Sequence, residues 1–168
     1  MAVTIHTEHD LGAAPDRVWA LITDFERFPE WNPLHRRITL RGPFAAGTPI
    51  RISLQMGRFR SAHGARLTVV DPERREFGWL AQAGLVPGLV VVERRFRVDP
   101  APGGSRLVQD ERDSGLAVPL LFAGGSFEQR IRRGYDGLVG AIEARLADGS
   151  RGSQHTAEEE TNDERTRV

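Results

Sequence analysis

Apolar and polar residues alternate from Val3 to Asp10, with Val3, Ile5, Thr7 and His9 on one side, which predicts a strand. The period then changes. Val18, Trp19, Leu21 and Ile22 form a helical stripe behind Pro15 and Asp16, two residues suited to a first helical turn. Asp24 is placed as the N-cap of a second, short turn through Phe25 and Phe28, broken by Pro29 and Pro33. Period two returns at His35. His35–Arg41, Thr48–Met56, Arg60–Val70, Glu76–Ala81, Leu89–Val98 and Ser105–Asp113 read as six further strands. Turn signals at Asp71-Pro72-Glu73-Arg74 and Asp99-Pro100-Ala101-Pro102-Gly103-Gly104 keep the connections short, so neighbouring strands are antiparallel.

The clearest single element lies near the end. Phe127, Ile131, Tyr135, Leu138, Ile142 and Leu146 recur at three- and four-residue spacings, and Ser126 with Gln129 makes a capping box. A sheet with one apolar face and one long amphipathic helix predict an α+β domain over residues 1–148, with the helix lying across that face. Residues 149–168 offer only Ala157 and Val168 as apolar side chains, too few to offset the entropy of ordering, so a disordered polar tail is predicted there.

Composition narrows the chemistry. The 168 residues carry no net charge and no cysteine, and all 23 basic residues are arginine. Disulfides, thiolate nucleophiles, Cys-ligated metals, Schiff bases and a P-loop lysine are thereby excluded. Electrical neutrality argues against a nucleic-acid partner. No apolar stretch approaches the roughly 20 residues of a membrane span, and no signal-peptide pattern opens the chain, so a cytoplasmic protein is expected.

The segment from Ala14 to Pro33 reads A-P-x-x-V-W-x-x-x-x-D-x-x-x-x-P-x-W-N-P, through Ala14, Pro15, Val18, Trp19, Asp24, Pro29, Trp31, Asn32 and Pro33. It resembles the signature of the SRPBCC (START-like) superfamily, and within it the polyketide cyclase/dehydrase and lipid-transport family, which includes bacterial polyketide cyclases. Val98-Asp99-Pro100 and Gly103-Gly104-Ser105-Arg106-Leu107 resemble the family's penultimate hairpin. Asp113 departs from the pattern, which has an aromatic residue two places before the glycine at Gly115. The resemblance implies a helix-grip fold: a curved seven-stranded antiparallel sheet wrapped around the C-terminal helix, two short helices after the first strand, and a cavity between sheet and helix. The fold serves carriers, cyclases, aromatases, receptors and co-chaperones, so the resemblance speaks to fold more than to activity.

Candidate site residues follow from strand faces. Val90, Val92, Arg94, Phe96 and Val98 share one face, where Arg94 interrupts apolar neighbours. The family register turns Leu107, Gln109, Glu111 and Asp113 inward, which puts Arg94 beside Glu111. That pair is read either as a grip on a ligand oxygen or as a structural ion pair. Trp79 shares its face with Phe77. Gly134, Gly137 and Gly140 sit inside the helix, where each costs about 0.5–1 kcal/mol relative to Ala. They are read as hollows over the cavity beside Leu138, or as close packing. His63, on the more apolar face of its strand, is a general-base candidate or a core histidine. Metal-ligand spacing and a nucleophile elbow are both missing, so no metal, no cofactor and no acyl-enzyme are expected. Ala83–Pro87 and Leu116–Phe122 are apolar connections at one end of the sheet, marking a mouth or an interaction surface.

Three functions are weighed. The first is non-catalytic binding of a hydrophobic small molecule, with Trp79, Arg94, Phe96, Gln109, Glu111, Asp113, Gly134, Gly137 and Leu138 as its contacts. The second is a cyclase/aromatase in which Arg94, Glu111 or His63 moves protons during aldol closure and dehydration. The third is a protein-interaction module built on the apolar end loops. A monomer or weak homodimer is expected.

Overall fold

The computed structural model describes residues 2–83 and 86–166, with side chains described as far as Asp148 except at Ala83. The polar tail expected over 149–168 therefore lies outside the residues whose side chains are described. Seven strands form one antiparallel sheet: β1 (Ala2–Leu11), β2 (His35–Leu40), β3 (Pro49–Met56), β4 (Phe59–Asp71), β5 (Glu76–Ala83), β6 (Val90–Ala101) and β7 (Gly104–Ser114). Their order is β1-β7-β6-β5-β4-β3-β2, so β1 and β2 are the free edges. The helices are α1 (Pro15–Thr23), α2 (Phe28–Trp31), α3 (Val118–Phe122) and α4 (Ser126–Thr166), with a 3₁₀ turn at Phe25–Arg27.

The core lies between one face of the sheet and the apolar stripe of α4. Ile131, Tyr135, Leu138, Val139 and Ile142 are buried on the helix, against Ile5, Ile52, Leu67, Phe77, Trp79, Phe96 and Leu107 from the strands. Each such side chain contributes about 1.5–3 kcal/mol by leaving water. Trp79 and Phe77 are both buried, as their shared strand face requires.

Local chemistry departs from simple periodicity in several places. Asp24 precedes the 3₁₀ turn but makes no side-chain cap; it pairs with Arg27 at 3.7 Å instead. Pro29 sits in the first turn of α2, where its missing N–H is harmless, and so does not break that turn. α4 opens with Gly125 at φ 69°, its carbonyl accepting from the Gln129 N–H at 3.0 Å. The expected loop after β7 contains α3, which buries Val118 and leaves Leu120 exposed, with Leu116 exposed just before it. A bulge in β4 between Leu67 and Val69 places Val70, not Val69, opposite Phe77 on the inner face.

The outer face of the sheet divides by charge. On β6, β7 and β1 most cations are matched, Arg97 with Asp99 at 2.9 Å, Arg106 with Asp10 at 2.7 Å and His6 with Asp110 at 2.6 Å, while Arg112 forms no ion pair among the described residues. The stretch from Trp31 to Val70 holds Arg36, Arg37, Arg41, Arg51, Arg58, Arg60 and Arg66 and not one Asp or Glu. None of those seven arginines forms an ion pair among the described residues.

Candidate functional site

Asn32, buried at the end of α2, begins the construction. Its Oδ1 accepts from the N–H groups of Leu34 at 3.0 Å and His35 at 2.8 Å, an Asx turn that starts β2. A bulge between His35 and Arg37 then offsets the alternation. His35 points inward on the side of Ile38, while Arg37 and Thr39 are exposed. Its ring meets Trp79 edge-on, centroids 5.4 Å apart, and Phe77 stacks on Phe96 at 5.1 Å.

Strand register supplies the charged part. Arg94 on β6 lies directly opposite Glu111 on β7, both buried. One guanidinium NH2 donates to Glu111 Oε2, and the Tyr135 hydroxyl from α4 donates to the same oxygen. The other terminal nitrogen of Arg94 donates to His35 Nε2 at 2.6 Å, and the guanidinium carbon stands 4.8 Å over the Tyr135 ring. Arginine only donates, so His35 must be neutral with its proton on Nδ1. Burial, reinforced by the Arg94 charge, pushes His35 well below its ordinary value. Burial also lowers Arg94 and raises Tyr135.

Around this closed knot some polar atoms are left over. Arg94 Nε, Gln109 Oε1 and Asp113 Oδ2 are buried with no hydrogen-bond partner. Gln109 and Asp113 flank Glu111 on the inner face of β7, spanning roughly 14 Å of strand at about 3.4 Å per residue. Burial raises Asp113 to about 6, with the Arg94 charge opposing that rise. A carboxyl poised there can take or give a proton near neutral pH.

The sequence-derived residues are thus distributed unevenly. Arg94, Glu111, Gln109, Asp113, Trp79 and Phe96 share one interior face. Leu138 closes a small enclosed cavity of about 10 Å³ beneath Trp79, room for no more than a water. His63 faces inward opposite Ile52 and is half-buried, lowered by burial and then by Arg94, with no hydrogen-bond partner among the described residues. Of the two readings of the helix glycines, close packing describes Gly134, and neither Gly134 nor Gly137 lines the cavity beneath Trp79. A Cβ on Gly134 would meet Leu34 Cδ1 at 3.0 Å, and one on Gly137 only Pro33 Cγ at 3.9 Å. Both line an open outer cleft instead, because each stands one residue, about 100° round the helix, from the buried Tyr135 and Leu138. Gly140 meets nothing within 4 Å.

His35 and Tyr135 were not singled out by the sequence. Tyr135 had a signal, since a tyrosine in an apolar stripe needs a partner for its hydroxyl and inward Glu111 was available. No three His, Asp or Glu side chains converge as a metal site among the described residues.

Residues 2–145 match the model of the family described as polyketide cyclase / dehydrase and lipid transport. The chain belongs to that family. Solved structures agree on the helix-grip fold of this polyketide cyclase/dehydrase family member. The ZhuI aromatase/cyclase from Streptomyces sp. R1128 is 15% identical with a TM-score of 0.69, covering 86% of this chain and 93% of that one. A START superfamily protein from Mycobacterium smegmatis is 20% identical, TM-score 0.64, covering 88% and 97%. Ara h 8.0201 is 15% identical, TM-score 0.68, covering 88% and 99%. No curated protein matches the chain. Among the described residues no helix is long and apolar enough to cross a membrane.

Proposed function

We propose that the chain binds a small, mostly apolar molecule carrying oxygen functions, held between the inner face of β5–β7 and α4. The observation that carries this reading is the row of unpartnered buried atoms, Arg94 Nε, Gln109 Oε1 and Asp113 Oδ2, set beside an aromatic wall of Trp79 and Phe96. A buried polar atom without a partner costs about 1–3 kcal/mol, which a ligand oxygen or hydroxyl returns on binding. Among the described residues the cavity beneath Trp79 is water-sized, so a ligand there opens its own room by displacing side chains between α4 and the sheet. Zero net charge suits a protein free of nucleic acid, working in the cytoplasm as a monomer or weak homodimer.

The test uses 1,8-dihydroxyanthraquinone as probe and tryptophan fluorescence as readout. Saturable quenching is the expected result. It should weaken about tenfold or more in Asp113→Leu, where a hydrogen bond to a charged group is worth about 1.5–3 kcal/mol, and about two- to tenfold in Gln109→Leu, where a neutral one is worth about 0.5–1.5 kcal/mol. Equal quenching in all three proteins overturns the reading.

A second reading, cyclase chemistry, draws on Asp113 with Arg94. With its carboxyl near 6 and Oδ2 unpartnered, Asp113 would remove a proton from a carbon between two carbonyls. Arg94 Nε–H would donate to the enolate oxygen, and the enolate carbon would close on a second carbonyl whose oxygen takes the proton back from Asp113. That hydroxyl would then leave with a proton from the adjacent carbon as water. Turnover of a poly-β-keto thioester that rises with an apparent pKa near that of Asp113 and vanishes in Asp113→Asn is the expected result.

A further inference from the structure

We propose that the cleft between α4 and the β3–β4 hairpin is a second binding site, separate from the interior, for an amphipathic anion: a carboxylate, phosphate or sulfonate head on a short apolar body. The cleft has a volume of about 470 Å³, within the roughly 300–1,000 Å³ of small-molecule sites. Its floor is apolar, from Pro33, Leu34, Met56 and Phe59, and Phe59 is 43% exposed. Its rim carries Arg58, Arg130 and Arg133.

Among the described residues none of those three cations forms an ion pair. Elsewhere on α4, Arg132 pairs with Glu128 at 2.9 Å and Arg145 with Glu30 at 2.9 Å. Arg133 spends one N–H on its own helix, donating to the Gln129 carbonyl at 3.3 Å. Asp136, one turn further along, forms no ion pair with it among the described residues. Three guanidiniums, each with five donors in a rigid fork, are thereby gathered round one apolar hollow. Gathering like charges is unfavourable by itself and becomes favourable when an anion lies among them.

The glycines give the independent second argument. Gly137 sits in the interior of α4, where alanine would be more favourable by about 1 kcal/mol. Packing does not require glycine there, because a Cβ would come no closer than 3.9 Å to Pro33 Cγ. What glycine does at 137, and at 134 beside it, is leave the helix wall of the cleft without side chains. None of the lining residues is Arg94, Gln109, Glu111 or Asp113, so this site and the interior one are testable separately.

Two probes that share an anilinonaphthalene skeleton decide the matter. 8-Anilinonaphthalene-1-sulfonate carries an anionic head and N-phenyl-1-naphthylamine does not. The parent should bind the sulfonate saturably, more weakly as salt rises. The double variant Arg130→Gln, Arg133→Gln should lose about tenfold or more of that affinity while binding the neutral probe as the parent does. Gly137→Leu, with an unchanged melting temperature, should lose the sulfonate by filling the cleft, whereas Gln109→Leu should keep it. Displacement by dodecanoate but not dodecyl phosphate, or the reverse, assigns the natural head group. Sulfonate binding that survives the double arginine variant, or that disappears in Gln109→Leu, overturns the cleft site. Because Gln109→Leu is also the interior probe, failure of one site leaves the other site's result legible.

Discussion

Removing the Arg94 guanidinium would leave the Glu111 carboxylate buried with the Tyr135 hydroxyl as its remaining donor. A charge stranded in this way costs about 3–5 kcal/mol, and Arg94→Met is expected to lose that much in urea unfolding. Arg94→Met combined with Glu111→Leu should regain most of it, since neither charge then needs solvation. A double variant as weak as the single one would place the cost in packing rather than charge. Asp113 sets a pH dependence of definite sign. Its folded value of about 6 lies above the ordinary 3.8, so the native state keeps the proton longer than the unfolded chain does. Stability then falls as pH rises through that window, by at most about 3 kcal/mol at 1.36 kcal/mol per unit. Asp113→Asn should be more stable than the parent at neutral pH and nearly equal to it below 3.8; parallel profiles would refute the assignment. Most of this network was legible, because period two alone puts Arg94, Gln109, Glu111 and Asp113 on inner faces. His35 was not, because unbroken alternation groups it with Arg37 and Thr39 on the polar side, and only the bulge turns it inward.

At the scale of elements, α4 separates three glycines that look alike in sequence. Gly137→Ala should raise stability by up to ~1 kcal/mol, its Cβ meeting only Pro33 Cγ at 3.9 Å. Gly134→Ala should gain less or lose, since Leu34 Cδ1 stands at 3.0 Å and must shift. Chemical denaturation of the two variants side by side checks the order, and a larger gain at 134 would contradict this packing. Helical spacing showed where α4 buries its stripe, and strand alternation showed all seven strands. Neither pattern shows which flank of a helix a glycine opens, because that depends on the neighbouring β3–β4 hairpin, far away in sequence. The β4 bulge is hidden for the same reason. Its extra residue is fixed by pairing Leu67 with Trp79 and Val70 with Phe77, which no local pattern contains.

For the whole molecule, a net charge of zero conceals a segregated one. Seven arginines from Arg36 to Arg66 crowd the β2–β4 half of the sheet without an acidic residue in their segment, while in the other half most cations are paired with carboxylates. Surface charges act over about 10 Å at moderate salt, so a partner surface senses the local excess and not the sum. The protein is expected to be retained by a sulfopropyl resin at neutral pH and low salt, eluting as salt rises; passage straight through would show that the two halves screen each other. The bulge between His35 and Arg37 carries a further consequence at this scale. β2 ends the sheet, and a straight outer strand would offer its free N–H and C=O groups to a strand of another molecule. Here the irregularity falls in a six-residue strand, beside exposed Arg36 and Arg37, with the Arg36 guanidinium folded back onto the Asn32 and Pro29 carbonyls. The kink that aims a histidine at the interior also spoils the template for edge-to-edge pairing, so an open sheet is protected from polymerising along that edge.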